Sequence, residues 1–188
     1  MRKAVSSDFK NEGDSIYILG ETHQELGASE LAFMLREDGE GGIGGSVPGI
    51  DTSRNLAMYR ALTHAMSDSL VASAHDCSDG GLAVALAECC FGSDSGASIE
   101  LNPILSDPKA LDKWGALFGE SLGRIIVSVK QENREAFESV MRGNACHYIG
   151  TVEEGDEISF SIRGEKVLVA SMNDLRTTWK HALDGGGA

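Results

Sequence analysis

Apolar positions fall in short blocks separated by glycine-rich or acidic connections, and the blocks change period along the chain. Ile16-Tyr-Ile-Leu19 is a continuous β-favouring run and predicts a buried strand. The polar stretch Gly20–Gly27 follows, and Ser29 reads as the N-cap of a short helix through Leu31, Phe33, Met34 and Leu35. After Asp51 and Thr52, either of which can cap, Leu56, Tyr59, Leu62, Thr63, Met66 and Leu70 recur at helical spacing. That stripe predicts the core face of a long helix, with Arg54, Arg60, His64 and Asp68 opposite. Leu70–Ala74 reads as a strand. Leu82–Phe91 carries only Glu88 as a charge, so it predicts a helix buried nearly all round. Ser93–Gly96 reads as a turn, and Ala97–Leu101 alternates as a half-exposed strand does. Asp107-Pro108 has the form of an N-cap and first-turn proline, opening a helix Lys109–Phe118 that buries Leu111, Trp114, Leu117 and Phe118. Gly119–Gly123 is a compact turn before a strand Arg124–Val129. Glu132–Met141 is a helix with Phe137, Val140 and Met141 inward. Cys146–Val152, Ile158–Ile162 and Lys166–Ala170 read as strands. Asn173 caps a closing helix Asp174–Leu183 with Leu175, Trp179 and Leu183 aligned.

Five or six strands and four or five helices, without regular βαβ alternation, predict an α+β fold: a sheet with helices on its faces. The 188 residues suit a single domain spanning 1–188. Two stretches stand outside that core. Residues 36–49 hold six glycines and a proline between Glu37 and Gly49 and predict a flexible surface loop, and residues 184–188 predict a frayed tail.

Charge narrows the function classes. Sixteen Lys and Arg against 29 Asp and Glu give a formal net charge of −13, which argues against nucleic acid or an anionic membrane as partner. It does not exclude an anionic nucleotide, because a divalent cation changes the local field. No apolar run approaches the length of a membrane-spanning helix, and Met1–Asp8 has no apolar segment of the kind a secretion signal needs. The four cysteines, Cys77, Cys89, Cys90 and Cys146, form no Cys-x2-Cys pair, so the expectation is reduced thiols and a cytoplasmic protein. His23 and His64 read as solvated, and Glu153–Glu157 as a solvated acidic turn without calcium-loop spacing.

The densest chemistry lies in Ser73-Ala-His-Asp-Cys-Ser-Asp-Gly-Gly-Leu82. A strand feeds a turn that carries Asp76, Ser78 and Asp79, and paired glycines open the apolar helix. The carboxylates are hard oxygen ligands suited to Mg²⁺. Ser78 and the amides near the helix start can meet phosphate oxygens, and Gly80 and Gly81 permit close backbone approach. The turn is neither a Walker A loop nor a Gly-x-Gly-x-x-Gly fingerprint. A plainer reading also fits: Asp76 or Asp79 caps the helix and the glycines make the turn.

The stretch His75–Glu88 resembles the second-half signature of the phosphoribosylformylglycinamidine synthases, His-Asp-(apolar)-Ser-Asp-Gly-Gly-Leu followed by an Ala/Leu helix. Asp8–Asp14 with Ile16–Glu21, Glu25-Leu-Gly-Ala-Ser-Glu30, Leu117-Phe-Gly-Glu-Ser121 with Arg124–Val129, and Asp174–Lys180 resemble further stretches of that family in the same order. The resemblance implies the three-layer α/β/α C-terminal domain of the aminoimidazole ribonucleotide synthetase superfamily, with a mixed sheet. It also implies an ATP-dependent ligase of purine biosynthesis. In that reaction ATP activates the amide oxygen of formylglycinamide ribonucleotide and ammonia displaces phosphate, giving formylglycinamidine ribonucleotide. By the same resemblance Asp76 is a Mg²⁺ ligand and Ser78 contacts ATP; Asp79, whose counterpart binds Mg²⁺ in the kinase relative, joins Gly80 and Gly81 in the candidate cofactor-binding set. Glu120 is a candidate substrate contact, although Leu122-Gly123 departs from the family's Gln-Ser. Cys77 stands where the family has an apolar residue. The implied partners are an N-terminal ATP-binding portion and a glutaminase that supplies ammonia, and the chain on its own is expected to be inactive. Two rivals remain: a domain of another ATP-using relative, of thiamine-monophosphate kinase or selenophosphate synthetase type, which shares Asp-x-Ser-Asp-Gly, and a non-catalytic assembly domain that uses its acidic surface for partners.

Overall fold

A strand that is apolar at every position needs cover on both faces, and β1 (Ser15–Leu19) has it. Ile16 and Ile18 point into one apolar core, and Tyr17 and Leu19 into a second one on the opposite face. The computed structural model describes residues 4–35, 45–93, 95–105 and 111–182. Within them, helices cover both faces of one seven-stranded sheet, an α+β arrangement in three layers.

In chain order the remaining elements are α1 (Glu30–Met34), α2 (Thr52–Ser67), β2 (Ser73–Asp76), α3 (Gly81–Phe91), β3 (Ser95–Glu100), α4 (Lys113–Phe118), β4 (Ile125–Val129), α5 (Arg134–Met141), β5 (Cys146–Glu154), β6 (Glu157–Ile162), β7 (Glu165–Ser171) and α6 (Met172–His181). The strands lie in the order β2-β4-β1-β5-β3-β6-β7. All pairs are antiparallel except β3 with β6. Leu82 and Leu86 of α3, Leu117 of α4 and Met172 of α6 fill the first core. Met58, Leu62 and Ala65 of α2 pack with Phe137 and Met141 of α5 in the second.

Several expected details shift. Of the expected α2 stripe, Leu62 is buried and Met66 and Leu70 pack partly buried against the second core, but Met58 and Ala65, not Leu56 and Tyr59, complete the buried face. Leu56 is 50% exposed, and the Tyr59 hydroxyl stays at the rim, donating to the Gly123 carbonyl at 3.2 Å. The first strand after α2 is Ser73–Asp76 rather than Leu70–Ala74, so Asp76 closes a strand. Ser95 and Gly96 belong to β3 rather than to a turn, because a side chain at Gly96 would strike the Glu157 carbonyl of the neighbouring strand. Helix α4 starts at Lys113, capped by the Asp112 carboxylate, which accepts the Gly115 N–H at 2.9 Å. The proposed cap Asp107-Pro108 lies outside the described residues. Trp114 is 48% exposed, not buried; it stacks on Phe118, with the Lys113 ammonium over its ring. Ser171, not Asn173, caps α6, accepting the Asp174 N–H at 3.2 Å. Residues 36–44 and 184–188, most of the expected loop and all of the expected tail, also lie outside the described residues. The end of that loop is tied down: the Gly27 N–H bonds to the Ser46 carbonyl, and the Gly49 N–H to Glu25.

Candidate functional site

β2 is an edge strand paired only with β4, and its last residue, Asp76, stands opposite Ile125. The chain turns there. The Cys77 N–H still bonds to the Arg124 carbonyl at 3.0 Å, and the Gly81 N–H folds back onto the Ser78 carbonyl at 3.1 Å. Gly80 and Gly81 both take positive φ, 78° and 69°, and α3 departs from Gly81 into the first core. This turn leaves Asp76, Ser78 and Asp79 exposed at the start of a buried helix.

Neither aspartate caps α3. Its N-cap is Gly80, and no side chain of the cap residue bonds to the first turn. Asp76, its side chain 77% exposed, accepts instead from the Ser78 hydroxyl at 3.1 Å and has the His75 Nδ1 at 3.6 Å from its other oxygen. The carboxylate that serves α3 comes from Glu120. Its Oε1 accepts the Gly80 N–H and the Glu30 N–H, each at 2.9 Å, so one oxygen joins the starts of α3 and α1. The structure therefore brings Glu120 to the turn, as sequence spacing alone did not require. The amides of Gly80 and Gly81 are both engaged inside the protein, so these glycines supply backbone shape rather than free donors.

Arg124, only 1% exposed, was read as a strand residue and turns out to organise the neighbouring loop. Its Nε donates to the Ser121 carbonyl at 3.1 Å, one terminal nitrogen donates to the Gly119 carbonyl, and the other reaches the Thr22 hydroxyl at 3.4 Å. The His23 N–H bonds to the Ser121 hydroxyl, and the Glu120 N–H to the Glu25 carbonyl. The connection Gly20–Glu30 is thus laced to the turn Gly119–Arg124. Burial lowers the Arg124 pKa, while Cys77, Glu25 and Glu120 oppose that shift. Burial also pushes the Cys77 thiol up to about 11, with Arg124 pulling the other way. A thiol so protonated packs as a small apolar group. Glu25 Oε1 accepts the Gly49 N–H at 3.0 Å, and its buried Oε2 has no hydrogen-bond partner. The one sequence signal for Arg124 is a charge at the head of an apolar strand.

The donor set can be tested against Mg²⁺. Among the described residues, no three His, Cys, Asp or Glu side chains gather as a metal cage. One exposed carboxylate beside a hydroxyl and a helix start suits Mg²⁺ only where water and phosphate oxygens supply most of its ligands, which is the usual arrangement for that ion. The residues fit in that sense.

The family described as AIR synthase related protein, C-terminal domain, matches residues 11–163. The chain belongs to this family. Among solved structures of similar fold, Thermotoga maritima PurL complexed with FGAR matches with a TM-score of 0.78 and 22% identity, over 93% of this chain and 29% of that one. T. maritima phosphoribosylformylglycinamidine synthase II gives 0.75 and 20%, over 93% of this chain and 28% of that one. The hydrogenase maturation protein HypE in complex with ATP gives 0.60 and 18%, over 89% of this chain and 53% of that one. This AIR synthase related domain thus spans under a third of the synthase chains and about half of HypE. Among its described residues, no helix is long and apolar enough to cross a membrane.

Proposed function

We propose that this AIR synthase related domain is the C-terminal domain of a phosphoribosylformylglycinamidine synthase of purine biosynthesis, acting in the cytoplasm. It would contribute ligands for Mg-ATP to the amidation of formylglycinamide ribonucleotide. The observation that carries the reading is the turn Asp76–Gly81: an exposed carboxylate and hydroxyl at the start of a buried helix whose own N-cap residue supplies no side-chain bond. Family membership over residues 11–163 and the likeness to PurL structures named for FGAR and for ATP support it.

Asp76 would hold Mg²⁺, which when bound neutralises phosphate charge. The Ser78 hydroxyl, which donates to Asp76 in the free chain, would turn its hydrogen to a phosphate oxygen when nucleotide is bound, and Asp79 is a further candidate ligand. Gly80 and Gly81 keep side chains out of the way, so that ATP can come close to the turn. Glu120 shapes this mouth through one oxygen, and its second oxygen is the candidate substrate contact. The reaction also needs an N-terminal ATP-binding portion and a source of ammonia, which in this reading is a glutaminase. The likeness to HypE with ATP favours a second reading, a domain of another ATP-using relative.

The test is reconstitution. The chain is combined with the N-terminal portion, and ADP release is followed with formylglycinamide ribonucleotide, ammonia and Mg-ATP, for wild type and Asp76→Asn. Substrate-dependent release that collapses in the variant is the expected result. Release that survives the substitution removes the metal role from Asp76. A folded complex without release moves the assignment to another ATP-using relative or to a structural role.

A further inference from the structure

A carboxylate as exposed as Asp76 has several rotamers open to it, so a metal ligand at this position needs something to hold it. Ser78 restrains one oxygen. The other faces His75 Nδ1 at 3.6 Å, and the far nitrogen of the same ring, Nε2, lies 3.2 Å from Glu88 Oε2. The imidazole side chain is 21% exposed and the Glu88 side chain is half-buried. Glu88 stands two turns into α3, on a helix fixed by the apolar core on which it packs.

We propose that Glu88 and His75 are positioning residues for Asp76, so that the helix following the turn reaches back to set the carboxylate that opens it. An imidazole donates from one nitrogen when neutral and from both when protonated. In either state the shorter contact to Glu88 orients the ring, and the ring in turn closes off one side of Asp76. A histidine held by a carboxylate on one nitrogen and facing a metal site with the other is a recurrent way of fixing ligand geometry, and losing such a support typically weakens metal binding by ten- to a hundredfold. Here the histidine backs the ligand rather than being one, so the lower end of that range applies. The inference rests on the Mg²⁺ reading of Asp76 and adds His75 and Glu88 to it.

The test uses Mn²⁺ alone as a paramagnetic stand-in and reads the amide signals of Cys77–Gly81 by NMR in the whole chain. Selective broadening of these signals in the wild type is expected. Glu88→Ala and His75→Ala should need about tenfold more Mn²⁺ for the same broadening. Glu88→Gln, whose amide oxygen still accepts from the ring, should stay within about twofold of wild type. Unchanged amide shifts elsewhere establish that each variant is folded; should Glu88→Ala fail to fold, Glu88→Leu, which keeps bulk but offers no acceptor, takes its place. Wild-type behaviour in both Glu88→Ala and His75→Ala overturns the positioning role and leaves the Asp76 reading intact. Undiminished broadening in Asp76→Asn, or no selective broadening in the wild type, overturns both.

Discussion

The carboxylate of Glu120 lies 2.9 Å from the amide nitrogen of Gly80, across 40 residues of sequence, and stands in for the cap that α3 lacks. The same oxygen holds the first amide of α1. A carboxylate at a helix start gains from both the hydrogen bond and the helix dipole. Glu120→Ala should therefore cost about 1–2 kcal/mol of stability in urea unfolding. Glu120→Gln, which keeps an acceptor but no charge, should lose roughly half of that. Equal stability of all three proteins would remove the bridge from the account.

The paired glycines are not equivalent. A Cβ on Gly81 would sit 2.5 Å from the Gly119 carbonyl oxygen and 2.8 Å from the Phe118 carbonyl carbon, which are backbone atoms that cannot step aside. At Gly80 the nearest atoms belong to the Val84 side chain. Both positions carry the left-handed strain of roughly 1–2 kcal/mol for a residue with a Cβ. Gly81→Ala should thus lower the melting temperature well beyond Gly80→Ala, and thermal unfolding of the two variants gives the ranking directly.

These contrasts show where the sequence was informative. β1 and α3 are readable because β1 is buried at every position and α3 at all but Val84, Glu88 and Phe91, so the hydrophobic run itself is the signal. The face of α2 is legible only in part: Leu62, Met66 and Leu70 pack as their spacing predicts, but Leu56 and Tyr59 are apolar and lie at the rim, while the small Ala65 lies in the core. The acidic turn was legible because its residues are contiguous. Its supports were not: Glu120 and Arg124 reach it through β4, which enters the sheet between β1 and β2, and that order is a property of the whole topology.

Arg124 makes a prediction of its own. Its guanidinium holds the Gly119 and Ser121 carbonyls from inside the fold, with Thr22 at the edge. Arg124→Met keeps much of the bulk but leaves those acceptors without donors. The expected loss is about 3 kcal/mol. Arg124→Lys should recover only part of it, because one ammonium cannot reproduce the planar fork. Full recovery by lysine in chemical denaturation would argue against the fork.

The thiols set an alkaline limit. Burial pushes Cys77 up to about 11 and Cys90 and Cys146 up to about 12, from an ordinary value of 9.0, and raises Cys89 as well. The folded state then holds these protons more tightly than the unfolded chain. Stability from this source is fully present below pH 9 and is lost as pH rises from 9 through 11 to 12. The slope is about 1.4 kcal/mol per pH unit for each such thiol. Urea midpoints should be level from pH 7 to 8.5 and fall steeply above 9. At pH 8 Cys89 and Cys90, both buried, should react with iodoacetamide far more slowly in the native protein than in the unfolded chain; rapid native labelling of these two would contradict their burial.

The place of β1 in the sheet bears on synthesis. Its two neighbours are β4 and β5, so Ile16, Tyr17, Ile18 and Leu19 leave the ribosome long before residues 125–154 exist to pair with them. Contacts of such long sequence separation close slowly. Until β4 and β5 have been made, the growing chain carries β1 as an unpaired apolar strand, the kind of segment on which holding chaperones act. Moving that strand to the C-terminus by circular permutation would let it dock last onto a finished pair of edges, and the yield of soluble protein would register the difference.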